Sequence, residues 1–263
     1  MTLLFDDDLR ATRRDRAART GPELFLLDRA FDDCLDRLSL IRRQFRSAVL
    51  LGCPNPLWPV RLQEVCGSIR VFDPGPLFAT GASGEQAREI ALPVEPESCD
   101  LILAVGTLDT VNDLPGALLR LRLALRPDGL LLGAVSGGET LPRLRAAMRA
   151  ADAVSGAASA HVHPRLAAAA LIDLLQTAGF AMPVVDVDRV SVSYGRLRSL
   201  VRDLRAMAAT NVLTDRPRVS ILKQALRSAE QSFNEHANGE RTVETFEILH
   251  FAGWTPAASD PRA

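Results

Sequence analysis

Two residues in the first third of the chain have the types and spacing that a nucleoside-bearing ligand requires. Gly52 ends a short apolar run, and Asp73 ends the next one about 20 residues further along. An acid at this distance from a strand-ending glycine accepts hydrogen bonds from both hydroxyls of a ribose. The alternative is that Asp73 only begins the turn DPGP, since Asp favours the first position of a turn. Both interpretations stay open, and the spacing favours a nucleoside site.

The segment AHVHP carries a second group of side chains that can do chemistry. The imidazole nitrogens of His161 and His163 can act as a base, orient another group or, with an acid, bind a metal. No third ligand is evident in the sequence, so we predict no metal site. The alternative is a loop that leads into a helix, with His163 directly before Pro164.

The stretch SGGET is the third candidate. Gly137, Gly138, Glu139 and Thr140 follow an apolar run. They form either a loop that faces a substrate or the start of a helix, in which Glu139 and Thr140 bind free amides. The sequence does not choose between these two interpretations.

Short apolar runs alternate with helical patterns along most of the chain, and these elements must position the candidate residues. The predicted strands are 47–51, 69–72, 100–105, 130–135, 184–194 and 245–251, and the main predicted helices are 23–41, 57–66, 114–125, 141–151 and 165–177. This alternation predicts an α/β fold with a mostly parallel, doubly wound sheet. Ligands bind at the carboxyl ends of the strands in such sheets. Gly106, which ends the run 100–105, therefore joins the candidate site.

Composition excludes several classes of function. The 263 residues carry a formal net charge of −1, from 31 basic and 32 acidic residues, so nucleic acid is not expected as a main partner. The four cysteines are scattered, and no apolar run is long enough for a membrane span. The first residues lack an apolar signal core. We therefore expect a cytoplasmic protein, and the excess of Arg over Lys suggests a bacterial one.

Several motifs resemble one family in sequence order. They are FDDDLRATRRDRAA at 5–18, VNDLP at 111–115, LRPDG at 125–129, GGETL at 137–141, AHVHP at 160–164, AGF at 178–180 and RDLRAMAATN at 202–211. They are similar to the mitochondrial complex I assembly-factor methyltransferase family and its alphaproteobacterial relatives. A more distant likeness is to the malonyl-carrier-protein methyltransferase of biotin synthesis. The resemblance spans nearly the whole chain.

This resemblance implies a Rossmann-like class I methyltransferase fold, with a seven-stranded, mostly parallel sheet and helices on both faces. It also implies an S-adenosylmethionine (SAM) site, formed by Gly52, Cys53, Asp73, Leu92 and Gly106. The domain division that follows is an N-terminal charged arm and helix in 1–45 and a methyltransferase-fold domain in 46–263. Helical additions are expected after 139 and at 196–240. The charged segment 5–20 itself is expected to be a solvated arm or a frayed helix, and the alternative is a segment that grips a partner.

The cofactor loop departs from the family pattern. The family has GxGxG, whereas this chain has Pro54 and Pro56 at the second and third glycine positions. Proline fixes φ and removes an N–H donor, so the loop cannot follow the same path. The family also has an acid where this chain has Arg88, and an arginine cannot accept a hydrogen bond from adenine. Glu85 or Glu89 would replace that acid only if the loop is displaced.

The resemblance also suggests which residues face the substrate. His161 matches a family histidine, and Asp109 and Thr110 stand where the family has His and Trp. We take His161 and Asp109 as the catalytic candidates. Tyr194, at the start of a family-like stretch, joins Gly137, Gly138, Glu139 and Thr140 as a substrate-facing candidate.

Two hypotheses of different classes follow from these observations. The first is a SAM-dependent transferase, or an arginine-modifying relative that hydroxylates rather than methylates, acting on a protein such as a complex I subunit. The second is a non-catalytic pseudo-methyltransferase that acts as an assembly chaperone. Retention of Asp73 favours the first hypothesis, and the two prolines, Arg88 and Asp109 favour the second.

Overall fold

One mixed sheet forms the centre of the protein in the computed structural model, which describes residues 3–156 and 158–257. Residues 1–2 of the predicted division 1–45, and residues 157 and 258–263 of the predicted division 46–263, lie outside the described residues. Within the described ranges the strands are β1 Phe45–Leu51, β2 Cys66–Asp73, β3 Glu85–Gln86, β4 Cys99–Val105, β5 Leu125–Ser136, β6 Ala181–Tyr194, β7 Ala237–Asn238 and β8 Arg241–Trp254.

The strands lie in the order β3-β2-β1-β4-β5-β8-β6, and the short β7 pairs with β8. Strands β1 to β5 run parallel, and β8 and β6 are antiparallel additions. The predicted doubly wound, mostly parallel sheet is therefore confirmed. Because β1 pairs with both β2 and β4, the strand order reverses at β1. The carboxyl ends of these three strands meet there, where ligands bind in open α/β sheets.

Helices pack on both faces of the sheet. Those in the described ranges are α1 Asp7–Thr20, α2 Phe25–Ser39, α3 Trp58–Leu62, α4 Pro76–Gly81, α5 Leu114–Ala124, α6 Pro142–Ser155, α7 Ala168–Thr177, α8 Leu197–Ala206 and α9 Lys223–Asn234. The predicted helix over 57–66 is too long. Helix α3 ends at Leu62, and Cys66 already pairs with Phe45 in the sheet.

The core follows the two-residue period of the strands. All seven residues of β4 are buried, as expected of a parallel strand that is covered on both faces. Ile102 and Ala104 pack in a cluster with α5 and α7, whereas Leu101, Leu103 and Val105 pack in a cluster with α2 and α3. Helices α6, α8 and α9 enclose a third apolar cluster. In the described part of the chain no helix is long and apolar enough to cross a membrane.

The prediction of a solvated or frayed arm over 5–20 is wrong. Phe5 is buried and forms a bridge with Leu213, and the side chain of Asp6 accepts a hydrogen bond that caps α1. Arg10 and Arg14, one helical turn apart, are both buried. Their acidic partners are distant in sequence, so the local pattern shows only an exposed, charged helix. Helix α1 is thus an ordered part of the described structure.

Candidate functional site

The loop after β1 passes very close to the end of β4. Gly52 has a φ of +83°, and a Cβ on it would lie 2.4 Å from Cγ2 of Thr107 and 2.6 Å from the carbonyl oxygen of Val105. Only glycine fits this backbone conformation and this space. The next residue, Cys53, donates its backbone N–H to Asp73 over 2.8 Å. Two predicted cofactor residues thus begin a loop that is bonded to a third.

The rest of this loop is fastened to α2. Nδ2 of Asn55 and Nε1 of Trp58 donate to the same oxygen of Asp28, over 2.9 and 2.7 Å. The Trp58 ring stacks on Phe31 with 4.5 Å between centroids. Since the prolines on either side of Asn55 lack an N–H, the loop offers few amides to a ligand and is held in one position.

The carboxylate of Asp73 is fully buried, and all of its acceptor positions are occupied by hydrogen bonds from the chain itself. Arg14 donates Nε to Oδ1 over 2.7 Å and Nη2 to Oδ2 over 2.5 Å. The backbone N–H groups of Cys53 and Gly75 donate to the same carboxylate over 2.8 and 2.7 Å. A carboxylate has about four acceptor positions, so none is left for the hydroxyls of a ribose.

A second arginine of α1 occupies the neighbouring acid. Arg10 binds Glu89 through Nη1–Oε2 at 2.9 Å and Nη2–Oε1 at 2.5 Å, and Glu89 is 2% exposed. Nη2 of Arg10 also donates to the carbonyl oxygen of Thr107 over 2.7 Å. Burial lowers the pKa of Arg10, but the charge and hydrogen bonds of Glu89 outweigh burial and raise it. Arg10 therefore stays charged at this buried position.

The position that sequence counting assigns to the adenine acid lies outside this arrangement. Arg88 is about half exposed and pairs with Asp7 and Asp8 at the surface. Its neighbour Glu89 begins a short 3-10 turn and faces inward. Sequence counting thus missed the buried acid by one residue. No local signal marks Glu89 as buried, because its partner Arg10 lies 79 positions away in the chain.

A cavity of about 110 Å³ lies between helices α1, α2 and α8 and the ends of β4 and β5. Its wall is mostly apolar and includes Leu27, Val105 and Gly106. Ligand pockets for drug-sized molecules measure about 300–1,000 Å³. The cavity in this conformation is therefore small for an adenosine-containing cofactor.

Three polar side chains meet at the wall of this cavity. Asp109 and Arg165 form a buried ion pair, and His163 lies beside them. Burial alone would raise the pKa of Asp109, but the nearby positive charges, that of Arg165 first and that of Arg10 after it, together with a backbone hydrogen bond, lower it. Burial and the charge of Arg165 lower the pKa of His163 to about 4. Its Nε2 accepts the backbone N–H of Val212 over 2.8 Å, so the neutral ring carries its proton on Nδ1.

Comparison with known proteins gives relatives that match nearly the whole of this chain. "Arginine-hydroxylase NDUFAF5, mitochondrial" of Homo sapiens is 30% identical over 272 residues, covering 98% of this chain and 79% of the relative. The Mus musculus protein is 30% identical over 264 residues, covering 95% of this chain and 77% of the relative. The chain belongs to the NDUFAF5 arginine-hydroxylase family. The Danio rerio member is 35% identical over 179 residues, and there the match spans 56% of the relative.

More distant likenesses extend to methyltransferases. The malonyl-[acyl-carrier protein] O-methyltransferase of Laribacter hongkongensis is 32% identical over 171 residues, covering 65% of this chain and 56% of that protein. No family model matches the chain.

Solved structures support the fold. The Bacillus subtilis YcgJ protein has a TM-score of 0.58 at 10% identity, covering 86% of this chain and 99% of that one. The phosphoethanolamine N-methyltransferase 2 of Haemonchus contortus, in complex with S-adenosylhomocysteine, has a TM-score of 0.51 at 12% identity, covering 86% of this chain and 52% of that one. These likenesses confirm the Rossmann-like methyltransferase fold and carry no further argument about function.

The two catalytic candidates that the family resemblance suggested do not meet. Asp109 lies at the cavity, whereas His161 pairs with Asp152, with 2.8 Å between Nε2 and Oδ1, and is not among the cavity-lining residues. The histidine that lines the cavity is His163. The sequence left two interpretations of it open, a chemical role and a place in a loop that leads into a helix. Leu92 packs at the edge of the core. This packing does not test whether Leu92 contacts a cofactor, so that contact stays a prediction.

The SGGET stretch is not a helix start. Helix α6 begins at Pro142, and its free amides at Arg143 and Leu144 are bound by the carboxylate of Glu244 on β8, over 3.2 and 2.8 Å. The Thr140 hydroxyl instead donates to the Glu247 carbonyl oxygen over 2.9 Å. The helix-cap interpretation is therefore wrong.

Of the substrate-facing candidates, only Thr140 lines the cavity. A Cβ on Gly137 would lie 2.4 Å from Oε1 of Glu247, so this position serves close packing. Gly138 and Glu139 are not part of the cavity wall. Tyr194 lines a separate open groove together with Asp203. The five residues thus do not form one surface, and their contact with a substrate stays a prediction.

Proposed function

We propose that this chain is a non-catalytic member of its family, which binds a protein client during assembly of respiratory complex I. The observation that carries this proposal is the pair of arginines from α1 in the cofactor region. Arg14 takes up the carboxylate of Asp73, and Arg10 takes up that of Glu89. The family resemblance supplies complex I as the assembly concerned.

The residues present do not fit SAM. Asp73 has no acceptor left for a ribose, and Glu89 is paired with Arg10. The proline-containing loop after Gly52 lacks the amides of a glycine-rich loop and is tied to Asp28. We therefore derive no reaction step that passes through this cofactor.

Displacement of α1 would carry a large electrostatic cost. Asp73, Glu89, Arg10 and Arg14 are each buried. Separation of a buried ion pair leaves uncompensated charges, and removal of one partner typically costs about 3–5 kcal/mol. A ligand that entered here would have to offset two such separations, which supports a stable closed form.

Isothermal titration calorimetry with SAM and with S-adenosylhomocysteine tests whether the cofactor region around Asp73 and Glu89 is closed to these ligands. We expect no saturable heat at millimolar ligand. Saturable binding of either compound to the wild-type protein would refute the non-catalytic assignment.

A cellular experiment tests the role in assembly. In a strain that lacks its own copy, the wild-type chain should restore complex I activity and should co-precipitate with complex I subunits. Asp73→Asn should restore activity in proportion to the amount of folded protein. Loss of all activity by a folded variant that still binds its client would show that the site does chemistry.

The second candidate is an enzyme that modifies arginine, as the name of the mammalian relatives describes. The convergence of Asp109, His163 and Arg165 on one cavity favours it. Mass spectrometry of co-purified client proteins distinguishes the two candidates. An arginine that carries an added oxygen or methyl group only when the chain is present would support the enzyme.

A further inference from the structure

A second groove lies between α2 and the edge strand β6. It is lined by Phe25, Asp28, Arg29, Asp32, Asp33, Asp36, Arg37, Asp186, Val187, Asp188 and His250. Six carboxylates therefore face two guanidinium groups and one histidine. Apart from Asp28, which holds the loop after β1, the residues of the groove take no part in the cleft that holds Arg10 and Arg14.

The carboxylates of the groove are only partly neutralised. Arg29 pairs with Asp188 over 2.6 Å, and Arg37 pairs with Asp33 over 2.5 Å and with Asp186 over 2.6 Å. Arg61, which lies outside the groove lining, pairs with Asp32 over 2.7 Å. Asp36 is exposed and has no ion pair among residues 3–156 and 158–257. The groove thus keeps a negative charge on a protein whose overall charge is close to zero, and a local excess of this kind attracts cations.

A buried histidine at this groove lacks a hydrogen-bond partner. His250 is 2% exposed, and its Nδ1 lies 2.9 Å from Oδ2 of Asp33 without the geometry of a hydrogen bond. Burial lowers the pKa of His250, so the neutral ring is favoured. An unpaired buried polar atom is unfavourable. A donor group that entered the groove could bind this histidine and Asp33 together.

The edge of the sheet beside this groove is also open. Strand β6 spans Ala181–Tyr194 and pairs with β8 on one side, and no strand of the described ranges pairs with its other side. Val184 is 49% exposed and Val187 is 43% exposed. An exposed strand edge of this length offers a row of backbone N–H and C=O groups to another segment. Peptides bind to such edges as an added strand.

We propose that this groove and the outer edge of β6 bind an extended segment of the client protein that carries Arg or Lys side chains between apolar ones. The segment pairs its backbone with β6. Its basic side chains reach the carboxylates of α2 and β6, and its apolar side chains, which point to the opposite face of the sheet, cover Val187. The negative charge of the groove favours a basic segment. It disfavours a second copy of this protein that would bind through the same acidic surface. The proposal specifies an extended, basic segment of the client protein. It rests on the proposed function only for the identity of that client.

The test uses fluorescence anisotropy with a labelled heptapeptide of alternating Val and Arg. We expect saturable binding that weakens as salt rises, and no binding of the Val and Glu peptide of the same length. The double variant Asp36→Lys/Asp186→Lys should bind at least about tenfold more weakly. The control Glu64→Lys/Glu95→Lys changes two exposed acids outside the groove by the same charge, and its affinity should match the wild type.

Three results would overturn the inference. Equal binding of the acidic and basic peptides would exclude charge selection, and equal loss in the groove and control variants would exclude this groove. A peptide whose alternate backbone nitrogens are methylated cannot complete the strand pairing, so its unchanged affinity would exclude β6 as the partner. The cofactor calorimetry is independent of all three, so a failure here is distinguishable from a failure of the proposed function.

Discussion

Arg14 and Asp73 form two parallel hydrogen bonds, Nε–Oδ1 at 2.7 Å and Nη2–Oδ2 at 2.5 Å, at the carboxyl end of β2. The side chain of Asp73 is 0% exposed and that of Arg14 is 7% exposed. Asp73, whose spacing from Gly52 predicted a ribose site, is thus bound by Arg14 of the chain's own first helix. Bidentate pairs of this geometry are both strong and specific.

Asp73→Asn should destabilise the protein strongly. The change leaves the buried charge of Arg14 unpaired and turns the new side-chain amide toward two of the N–H donors. We expect the free energy of unfolding to fall by about 3–5 kcal/mol, measured by urea denaturation. The control is Glu85→Gln, which breaks the exposed pair with Arg70 and should cost less than about 1 kcal/mol. Similar losses in both variants would contradict the importance of the buried pair.

Arg14→Met should loosen α1. The helix is strongly polar, and its buried side chains are Arg10, Arg14 and Ala17, so the arginine pairs provide much of its attachment. Hydrogen exchange followed by mass spectrometry should show faster exchange over 7–20, with the strands unchanged. Arg19→Met, which alters a side chain that is 65% exposed, is the matched control. Equal protection of α1 in both variants would mean that other contacts hold the helix.

His163 should make the protein less stable in mild acid. Its pKa is lowered to about 4 by burial and by Arg165, whereas in the unfolded chain it is about 6.5. The unfolded state therefore binds a proton first, and stability falls as the pH drops from about 6.5 to about 4, by on the order of 3 kcal/mol. His163→Gln should flatten this part of the stability profile.

The control for this prediction is His236→Gln, which changes an exposed histidine and should leave the profile unchanged. NMR titration provides a direct check, because the ring of His163 accepts the N–H of Val212 only while it is neutral. If the imidazole of His163 titrates near pH 6.5 in the folded protein, the ordinary value for histidine, the effect is excluded.

Gly52→Ala should be more harmful than Gly21→Ala. Both glycines have a positive φ, +83° and +90°, but a Cβ at Gly21 meets nothing within 4 Å, whereas one at Gly52 meets Thr107 and Val105. Backbone strain alone costs about 1–3 kcal/mol, and overpacking adds about 1–3 kcal/mol at Gly52 only. Thermal and urea unfolding of the two variants measure the difference. Equal losses of unfolding free energy in the two variants would show that the loop after β1 moves away from β4 at no energetic cost.

The order of the elements could be derived from sequence patterns because each pattern reflects local geometry. The run at 100–105 predicted a buried strand and corresponds to β4 Cys99–Val105. The helix predicted over 23–41 corresponds to α2 Phe25–Ser39. The prediction over 57–66 failed at its end, because pairing with β1 draws Cys66 into β2. Local patterns do not include such long-range pairing.

The α/β architecture, the family and the place of Asp73 at a strand end could be derived from the residues alone, since they depend on periodicity, spacing and motif order. The partner of Asp73 is known only from the folded protein. Arg14 lies 59 positions earlier in the chain, and a charged helix pattern looks the same whether its arginines meet water or buried acids. The partners of ionised side chains depend on distances that folding alone creates, so the closure of the cleft by α1 could not be derived from residue types and spacing.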